Sequence, residues 1–307
     1  MALEFPVNGF DVSFYQRDID WEIARKRVGF AFIKATQSTS IVDFQFLRNW
    51  QESKRVGIPR AAYHYFYPKR TPVLDAKSQA EHFFGVMEST GDLGEMLPMM
   101  DCESDPALLS LSEMEDRITK FIDRLKVLSG KDAIVYTRKT WWNAQVTNQS
   151  LSNTDIPHVP GDGMRLLMVA QYNPIIRVPA IPWDWEKRYG PNAWTFWQHS
   201  ADGNNKGALY GAKSDDIDLD RFNGTAGDFK ALFGVEPADV TVPPPVEPKT
   251  KVFTVGVINP RTKPVVDTLT DAGTIVSGKT FVKAGLPENG FQPVVLWLSQ
   301  QYLKEVN

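Results

Sequence analysis

The sequence contains little of the chemistry that binds metals or forms disulfides. Its 307 residues include a single cysteine, Cys102, and only four histidines. One cysteine excludes an internal disulfide framework, and the histidines are too dispersed for a zinc motif. No glycine-rich phosphate loop follows the first predicted strand, which argues against a dinucleotide-binding fold. We therefore expect no metal and no cofactor.

An excess of one charge sign and long apolar runs are also missing. There are 34 Lys and Arg against 37 Asp and Glu, a formal net charge of −3, and the basic residues are scattered. This distribution gives no electrostatic basis for nucleic-acid binding. No run approaches the roughly 18 apolar residues of a membrane span, and the first residues do not form a signal peptide. We expect synthesis in the cytoplasm without membrane insertion.

An apolar run that ends in acids stands out at residues 97–105. If this run is a strand, Asp101 and Glu103 lie on one face, with Cys102 opposite. Crowded, buried carboxylates raise the pKa of one member, which is how proteins make a general acid at neutral pH. The alternative is a strand that exits into solvent with both acids exposed.

The order of predicted elements favours a β/α barrel. Strands and helices alternate through the first half, which is typical of parallel βαβ units, whereas the second half has strands with few helices between them. The strand count of about eight fits a barrel better than an open sheet. Polar and aromatic residues fall near the C-terminal strand ends, where barrel active sites lie, namely Asp11, Tyr63, Asp101, Glu103, Tyr136, Gln171 and Gln198.

A proline-rich stretch divides the chain. We predict a barrel domain over residues 1–234, a semi-extended linker over 235–250, and a small all-β module over 251–307. The module has short apolar strands between Gly, Pro and Asn turns, and it shows no constellation of catalytic residues. Ligand binding fits it better than catalysis, and a dimerisation or stabilising role is the alternative.

Residues 7–224 resemble the glycoside hydrolase family 25 lysozymes, which are N-acetylmuramidases of the Chalaropsis type. The resemblance is carried by several short motifs in the family order, at residues 9–13 with Gln16, 32–36, 62–65, 97–103, 169–172, 194–198 and 217–220. It implies an irregular, TIM-like β/α barrel with a helix-poor second half. It also implies cleavage of the β-1,4 bond between N-acetylmuramic acid and N-acetylglucosamine in bacterial peptidoglycan.

The resemblance assigns four catalytic acids, Asp101, Glu103, Asp11 and Asp218. Two departures from the family pattern are Cys102, at a position more often apolar, and Asp220, where Asn is common. We expect Cys102 to face away from the site as an inert, buried thiol.

Glu103 is the expected general acid, because its side chain is longer and lies beyond Asp101 towards the barrel mouth. Asp101 then either stabilises the oxocarbenium-like centre or orients the acetamido group of the substrate. Retention assisted by that acetamido group and inversion with Asp11 or Asp218 as base both stay open.

A set of aromatic and amide side chains is predicted to bind the sugars, comprising Tyr63, Tyr65, Tyr136, Gln171, Tyr172, Trp197 and Gln198. Barrel packing is the alternative for the aromatic members, since such rings dominate cores. His64 is expected to be a core residue. The tryptophan pairs at 141–142 and 183–185 either form a groove wall or bury loops.

The C-terminal module is similar to bacterial SH3-type cell-wall-binding domains at residues 256–261 and 297–303. Hydrolase, linker and wall-binding module together resemble a phage endolysin, which waits in the host cytoplasm for release by a holin. Two other functions remain open. One is a barrel glycosidase that acts on another N-acetylated polymer such as chitin, and the other is a non-catalytic wall-binding protein.

Overall fold

The computed structural model describes residues 5–68, 75–105, 109–146, 166–172, 178–201, 203 and 205–241, with the backbone of 281–282 and 296–297. The chain divides into two compact units, Met1–Pro243 and Pro244–Asn307. The division lies inside residues 235–250, the stretch for which the sequence predicts a linker.

The first unit is built on one sheet that closes into a barrel. Its strands are β1 (Asn8–Val12), β2 (Phe30–Gln37), β3 (Ile41–Val42), β4 (Arg60–Tyr65), β5 (Met99–Cys102), β6 (Ile134–Thr137), β7 (Leu167–Ala170), β8 (Phe196–Ser200) and β9 (Asp218–Phe222). Within the described residues, β1 pairs with both β2 and β9, so eight strands form a ring and β3 extends β2. The predicted barrel is confirmed.

The barrel is mixed rather than all-parallel. Successive strands from β1 to β8 are parallel, apart from the short β3. The last strand, β9, runs antiparallel to both β8 and β1. The sequence pattern did not indicate this reversal, because strand direction leaves no mark on alternation.

Helices cover the outside of the barrel: α1 (Trp21–Ala24), α2 (Phe46–Arg55), α3 (Ala76–Glu88), α4 (Leu111–Ser129), α5 (Lys139–Gln145) and α6 (Trp183–Tyr189). A further helix, α7 (Ala226–Phe233), packs Phe229 against Phe30 and Phe222 of the barrel interior. The sequence did not predict α5, α6 and α7. They have seven, seven and eight residues against 19 in α4, too few for a clear helical period. The second half is therefore poor in long helices.

Helix α4 begins at Leu111, one residue earlier than the Ser112 start that the sequence suggested. Ser110 is its N-cap, and the Ser110 side chain and Glu113 form a reciprocal capping box. Gly130 ends the helix in the left-handed conformation with φ of 69°, as the sequence predicted.

Side-chain alternation along the strands produces two apolar layers. Phe30, Phe32, Phe196 and Phe222 fill the barrel interior, with ring centroids 5.0 Å apart for Phe30–Phe196 and for Phe32–Phe196. A second cluster, which includes Cys102, lies between the strands and the helices. The C-terminal strand ends of the barrel therefore lie above an aromatic floor.

His64 belongs to the outer layer and is a core residue, as predicted. Its Nδ1 lies 2.7 Å from Thr36 Oγ1 and its Nε2 lies 3.2 Å from Gln79 Oε1, while its ring stacks on Phe121. Burial lowers the pKa of His64 to about 3, so this histidine stays neutral at physiological pH.

The first residues of the predicted linker belong to the barrel. The Ala238 backbone N–H donates to Gly29 O at 2.8 Å, and Arg25 donates to Asp239 O at 2.6 Å. Such contacts hold the chain against the bottom of the barrel, so a free spacer begins later than residue 235.

In the second unit, β10 (Phe281–Val282) and β11 (Leu296–Trp297) pair antiparallel. The rest of the predicted all-β module lies outside the described residues. Among the helices that are described, none is both long and apolar enough to cross a membrane.

We expect Phe196→Ala to lower the free energy of unfolding by about 3 to 5 kcal/mol, because it removes a ring from the fully buried barrel floor. Urea unfolding followed by tryptophan fluorescence measures the change. Val127→Ala, at a mostly exposed position of α4, is the control and should change the stability by less than about 0.5 kcal/mol. A loss below about 1 kcal/mol for Phe196→Ala contradicts the packing described.

Candidate active site

A polar cavity of about 190 Å³ opens at the C-terminal ends of the parallel strands. Its lining combines acids, tyrosines and amides: Asp11, Ser13, Tyr15, Gln16, Lys34, Tyr63, Tyr65, Met99, Asp101, Glu103, Tyr136, Tyr172, Gln198 and Asp218. The four acids that the family resemblance assigns are thus brought together.

Strand geometry explains how these acids meet. Asp11 on β1 and Asp218 on β9 are direct partners in the antiparallel pair that closes the barrel. Asp101 lies near the end of β5, and Glu103 follows that strand, so both side chains reach the cavity as the alternation predicts. Cys102 points the other way into the outer apolar layer, and burial raises its pKa well above its usual range.

Asp101 is the carboxyl that the environment keeps protonated. It is buried, and its Oδ1 atom has no hydrogen-bond partner among the residues that the structure describes. Burial raises the pKa of Asp101 well above its usual range, and the nearby charge of Glu103 raises it further. The raised member of the predicted pair is therefore the inner acid.

Asp11 and Asp218 are also shifted towards the neutral form. Asp11 is only 7% exposed, and burial raises its pKa to about 7, although a hydrogen bond from Gln198 opposes the shift. Burial, followed by the charges of Asp11 and Glu103, raises the pKa of Asp218 well above its usual range. Near neutral pH, Asp11 and Asp218 therefore share protons and do not both carry a full negative charge.

Glu103 is placed differently from the other acids, at the exposed rim of the cavity. Its side chain is 25% exposed, and Oε2 lies 3.1 Å from a guanidinium nitrogen of Arg138.

Gln198 links the acids to the tyrosines. Its amide nitrogen donates to Asp11 Oδ2, and its Oε1 accepts hydrogen bonds from Tyr136, at 2.8 Å, and from Tyr172. Because both hydroxyls donate to the oxygen, the amide is fixed with its nitrogen towards Asp11.

Lys34 is a functional residue that sequence reasoning missed. It is 8% exposed, and its Nζ lies 4.8 Å from the centre of the Tyr65 ring. Burial lowers the pKa of Lys34, and the negative charge of Asp101 opposes this shift. The signal was present, because Lys34 continues the inward positions of Phe30 and Phe32 on β2.

Five of the seven predicted sugar-binding residues line the cavity: Tyr63, Tyr65, Tyr136, Tyr172 and Gln198. Five lining residues were not predicted as site residues: Ser13, Tyr15, Gln16, Lys34 and Met99. Ser13 and Gln16 form a capping box around the short helical turn that follows β1, which fixes the entry to this side of the cavity.

Gln171 and Trp197 were predicted at the site, and the structure places them elsewhere. Trp197 is buried in the outer layer, where its Nε1 donates to Gln171 O at 2.9 Å. The Gln171 side chain accepts from the Ala180 backbone N–H at 2.6 Å. Both side chains point outward, because they alternate along the chain with Phe196 and Met168, which point into the barrel.

None of the paired tryptophans lines the cavity. Trp142 and Trp185 are buried edge to face with ring centroids 4.7 Å apart, and Trp141 Nε1 donates to Ser104 O. Trp142 and Trp185 are therefore core residues, whereas Trp183 is 52% exposed outside the cavity lining.

Asp220 lies one inward position below Asp218 and is completely buried. Both of its carboxyl oxygens lack a hydrogen-bond partner, and burial raises its pKa well above the usual range. It is a neutral acid beneath the cavity. Across the described ranges, no cluster of His, Cys, Asp and Glu has the arrangement of a metal site.

Comparisons with known proteins place this geometry in one family. The model of "Glycosyl hydrolases family 25" matches residues 10–208. Lysozyme M1 of Streptomyces globisporus is 30% identical over 233 residues, covering 74% of this chain and 71% of the relative. The N,O-diacetylmuramidase of Chalaropsis sp is 30% identical over 154 residues, 47% of this chain and 72% of the relative.

Solved structures agree. The bacterial lysozyme from Streptomyces coelicolor superposes with a TM-score of 0.58 at 30% identity, covering 74% of this chain and 96% of that one. The family GH25 lysozyme from Aspergillus fumigatus superposes with a TM-score of 0.55 at 28% identity, covering 74% and 98%.

We expect Asp11→Asn to reduce the loss of stability with rising pH. With a folded pKa of about 7, native Asp11 binds a proton that an unfolded aspartate releases near pH 4, so native stability falls as pH rises between these values. Asn does not titrate, and the variant should gain up to about 3 kcal/mol relative to wild type between about pH 5 and about pH 8.

Urea unfolding at several pH values measures this difference. Asp116→Asn is the control, because Asp116 is exposed on α4 and pairs with Lys120. Equal pH slopes for wild type and Asp11→Asn contradict the burial of a protonated carboxyl at this position.

Proposed function

The chain belongs to the glycosyl hydrolases of family 25, and we propose that it cleaves the β-1,4 bond from N-acetylmuramic acid to N-acetylglucosamine in peptidoglycan with Glu103 as general acid. The observation that carries the proposed roles is the meeting of four acids in one tyrosine-lined cavity at the mouth of the barrel. Lysozymes and muramidases are among the relatives, which favours this substrate over chitin and favours an enzyme over a passive wall-binding protein.

Hydrolysis of a glycoside needs a proton for the leaving oxygen and negative charge near the anomeric carbon. Glu103 suits the first role, because it lies at the rim where the leaving sugar exits. The buried Asp101 has an oxygen without a partner, which is available to hydrogen-bond the acetamido group of the sugar. Asp11 and Asp218 face the ring from the closing strands and supply charge, or a base, as the oxocarbenium-like centre develops.

The tyrosines supply the sugar contacts. Tyr63, Tyr65, Tyr136 and Tyr172 border the cavity, and their rings offer flat faces to pyranose carbons while their hydroxyls bond to sugar oxygens. Gln198 forms hydrogen bonds with the hydroxyls of Tyr136 and Tyr172 and with Asp11. A single residue therefore connects the sugar-binding tyrosines to the acids.

We expect Glu103→Gln to lower the rate of reducing-end release from purified cell walls by about 100-fold to 10,000-fold, the usual contribution of a general acid. Gln keeps the size and removes the proton. Glu88→Gln, on the exposed end of α3, is the matched control and should retain the wild-type rate. Equal rates for wild type and Glu103→Gln contradict the acid assignment.

We also propose that residues 251–307 form an SH3-like module that binds the cell wall, and that the chain acts as a phage endolysin. The sequence resemblance supports the module, and the order of hydrolase, proline-rich segment and module supports the endolysin function. On this proposal the enzyme is made in the host cytoplasm and reaches the wall after holin-dependent release.

A chain ending at Pro243, the limit of the first compact unit, tests the wall-binding module. We expect it to co-sediment with purified walls at least about tenfold more weakly than the full chain, because it lacks the proposed wall contact. Its activity on soluble glycan strands should be unchanged. Equal co-sedimentation across several wall types contradicts the binding role.

A further inference from the structure

The ion pair between Glu103 and Arg138 is a feature that the mechanism above does not use. Arg138 lies 3.1 Å from Glu103 Oε2, and Glu103 is the proposed proton donor. The ion pair occupies Oε2 of Glu103, so this oxygen does not face the leaving group while the pair is closed. The pair must therefore open before Glu103 can donate a proton.

The backbone of Arg138 is held in place, whereas its side chain is exposed. It comes directly after β6, and its carbonyl accepts the Trp142 N–H at 2.9 Å in the first turn of α5, so its backbone is fixed. The side chain is 48% exposed and lies at the rim of the cavity. The guanidinium can thus exchange one carboxylate for another without any change in the fold.

The charged residues around the cavity indicate which ligand Arg138 can receive. Glu103 lies at the exposed rim of this acidic lining, and a carboxylate on the substrate is received better there by a cation than by another acid. The cation in the described lining, Lys34, is buried near these acids. Arg138 is an exposed cation that contacts Glu103 of this cluster.

We propose that Arg138 is a specificity-determining residue that leaves Glu103 to bind a carboxylate on the substituent of the muramoyl sugar. This inference rests on the proposed peptidoglycan hydrolysis. Muramic acid differs from glucosamine by its O3-lactyl group, which is a free carboxylate in peptide-free strands and otherwise carries a stem peptide with carboxylates of its own. Arginine binds a carboxylate with two parallel hydrogen bonds, a geometry that a neutral sugar cannot match.

The exchange couples recognition to catalysis. When Arg138 binds the carboxylate of the substrate, the Glu103 side chain loses its partner and can reach the leaving oxygen. A polymer of N-acetylglucosamine has no carboxylate and leaves the pair closed.

Two matched pairs of substrates test this inference with the full chain. The first pair is peptide-stripped glycan strands with free lactyl carboxylates, and the same strands with these converted to methylamides. The second pair is soluble strands with intact stem peptides, and the same strands with the peptide carboxylates amidated. The readout is the ratio of kcat/KM, from reducing-end release, within each pair.

We expect the wild type to prefer the charged member of at least one pair by about tenfold, the effect of one charge-assisted hydrogen bond. The pair that shows the preference identifies the source of the carboxylate. Arg138→Gln should bring the ratio close to one, and Arg138→Lys should restore part of it. Lys139→Gln removes the same charge one residue away, where Lys139 faces Glu186 at 3.7 Å, and should keep the wild-type ratio.

Two results overturn the inference: a wild type without preference in either pair, or an Arg138→Gln variant that keeps the wild-type preference. A wild type that releases no reducing ends from any strand contradicts the proposed function instead. The ratio is insensitive to a general loss of folded protein, so an unstable variant does not imitate the expected result.

Discussion

The antiparallel pairing of the first and last strands of the barrel is the constraint on which the site depends. It closes the ring of eight strands within the described residues and sets Asp11 opposite Asp218. One step further down, Gly9 lies opposite Asp220. A side chain at Gly9 has no room, since an added Cβ falls 2.3 Å from the Phe30 ring. The closure of the barrel, the placement of the acids and the packing of the aromatic floor therefore depend on one another.

This packing buries the acids that the proposed chemistry uses, and their burial lowers the stability of the fold. Carboxyl groups above an aromatic floor lose solvation, and burial is the largest cause of the raised pKa values of Asp11, Asp101, Asp218 and Asp220. The free energy that the phenylalanine floor contributes offsets this burial. Active sites commonly retain such a cost, because relieving it removes the proton affinities that catalysis uses. Glu103 escapes deep burial, with a side chain that is 25% exposed at the rim of the cavity.

Strand periodicity predicted much of the site. Asp101 and Glu103 share a face as the alternation requires, and the barrel follows from the order of strands and helices. The same alternation, counted from the residues of each strand that point into the barrel, places Lys34 on the inward side. It places Gln171 and Trp197 on the outward side, away from the cavity. The short outer helices, the reversed last strand and the Arg138 pair come from tertiary packing, which local sequence periods do not encode.

The central claim is that the acid cluster cleaves on the reducing side of muramic acid. Digestion of purified peptidoglycan, borohydride reduction of the new ends and mass spectrometry of the products test it most directly. The account predicts that N-acetylmuramitol is the reduced end sugar, absent when the digestion uses Glu103→Gln. N-acetylglucosaminitol as the new end, or no new reducing end, would contradict it.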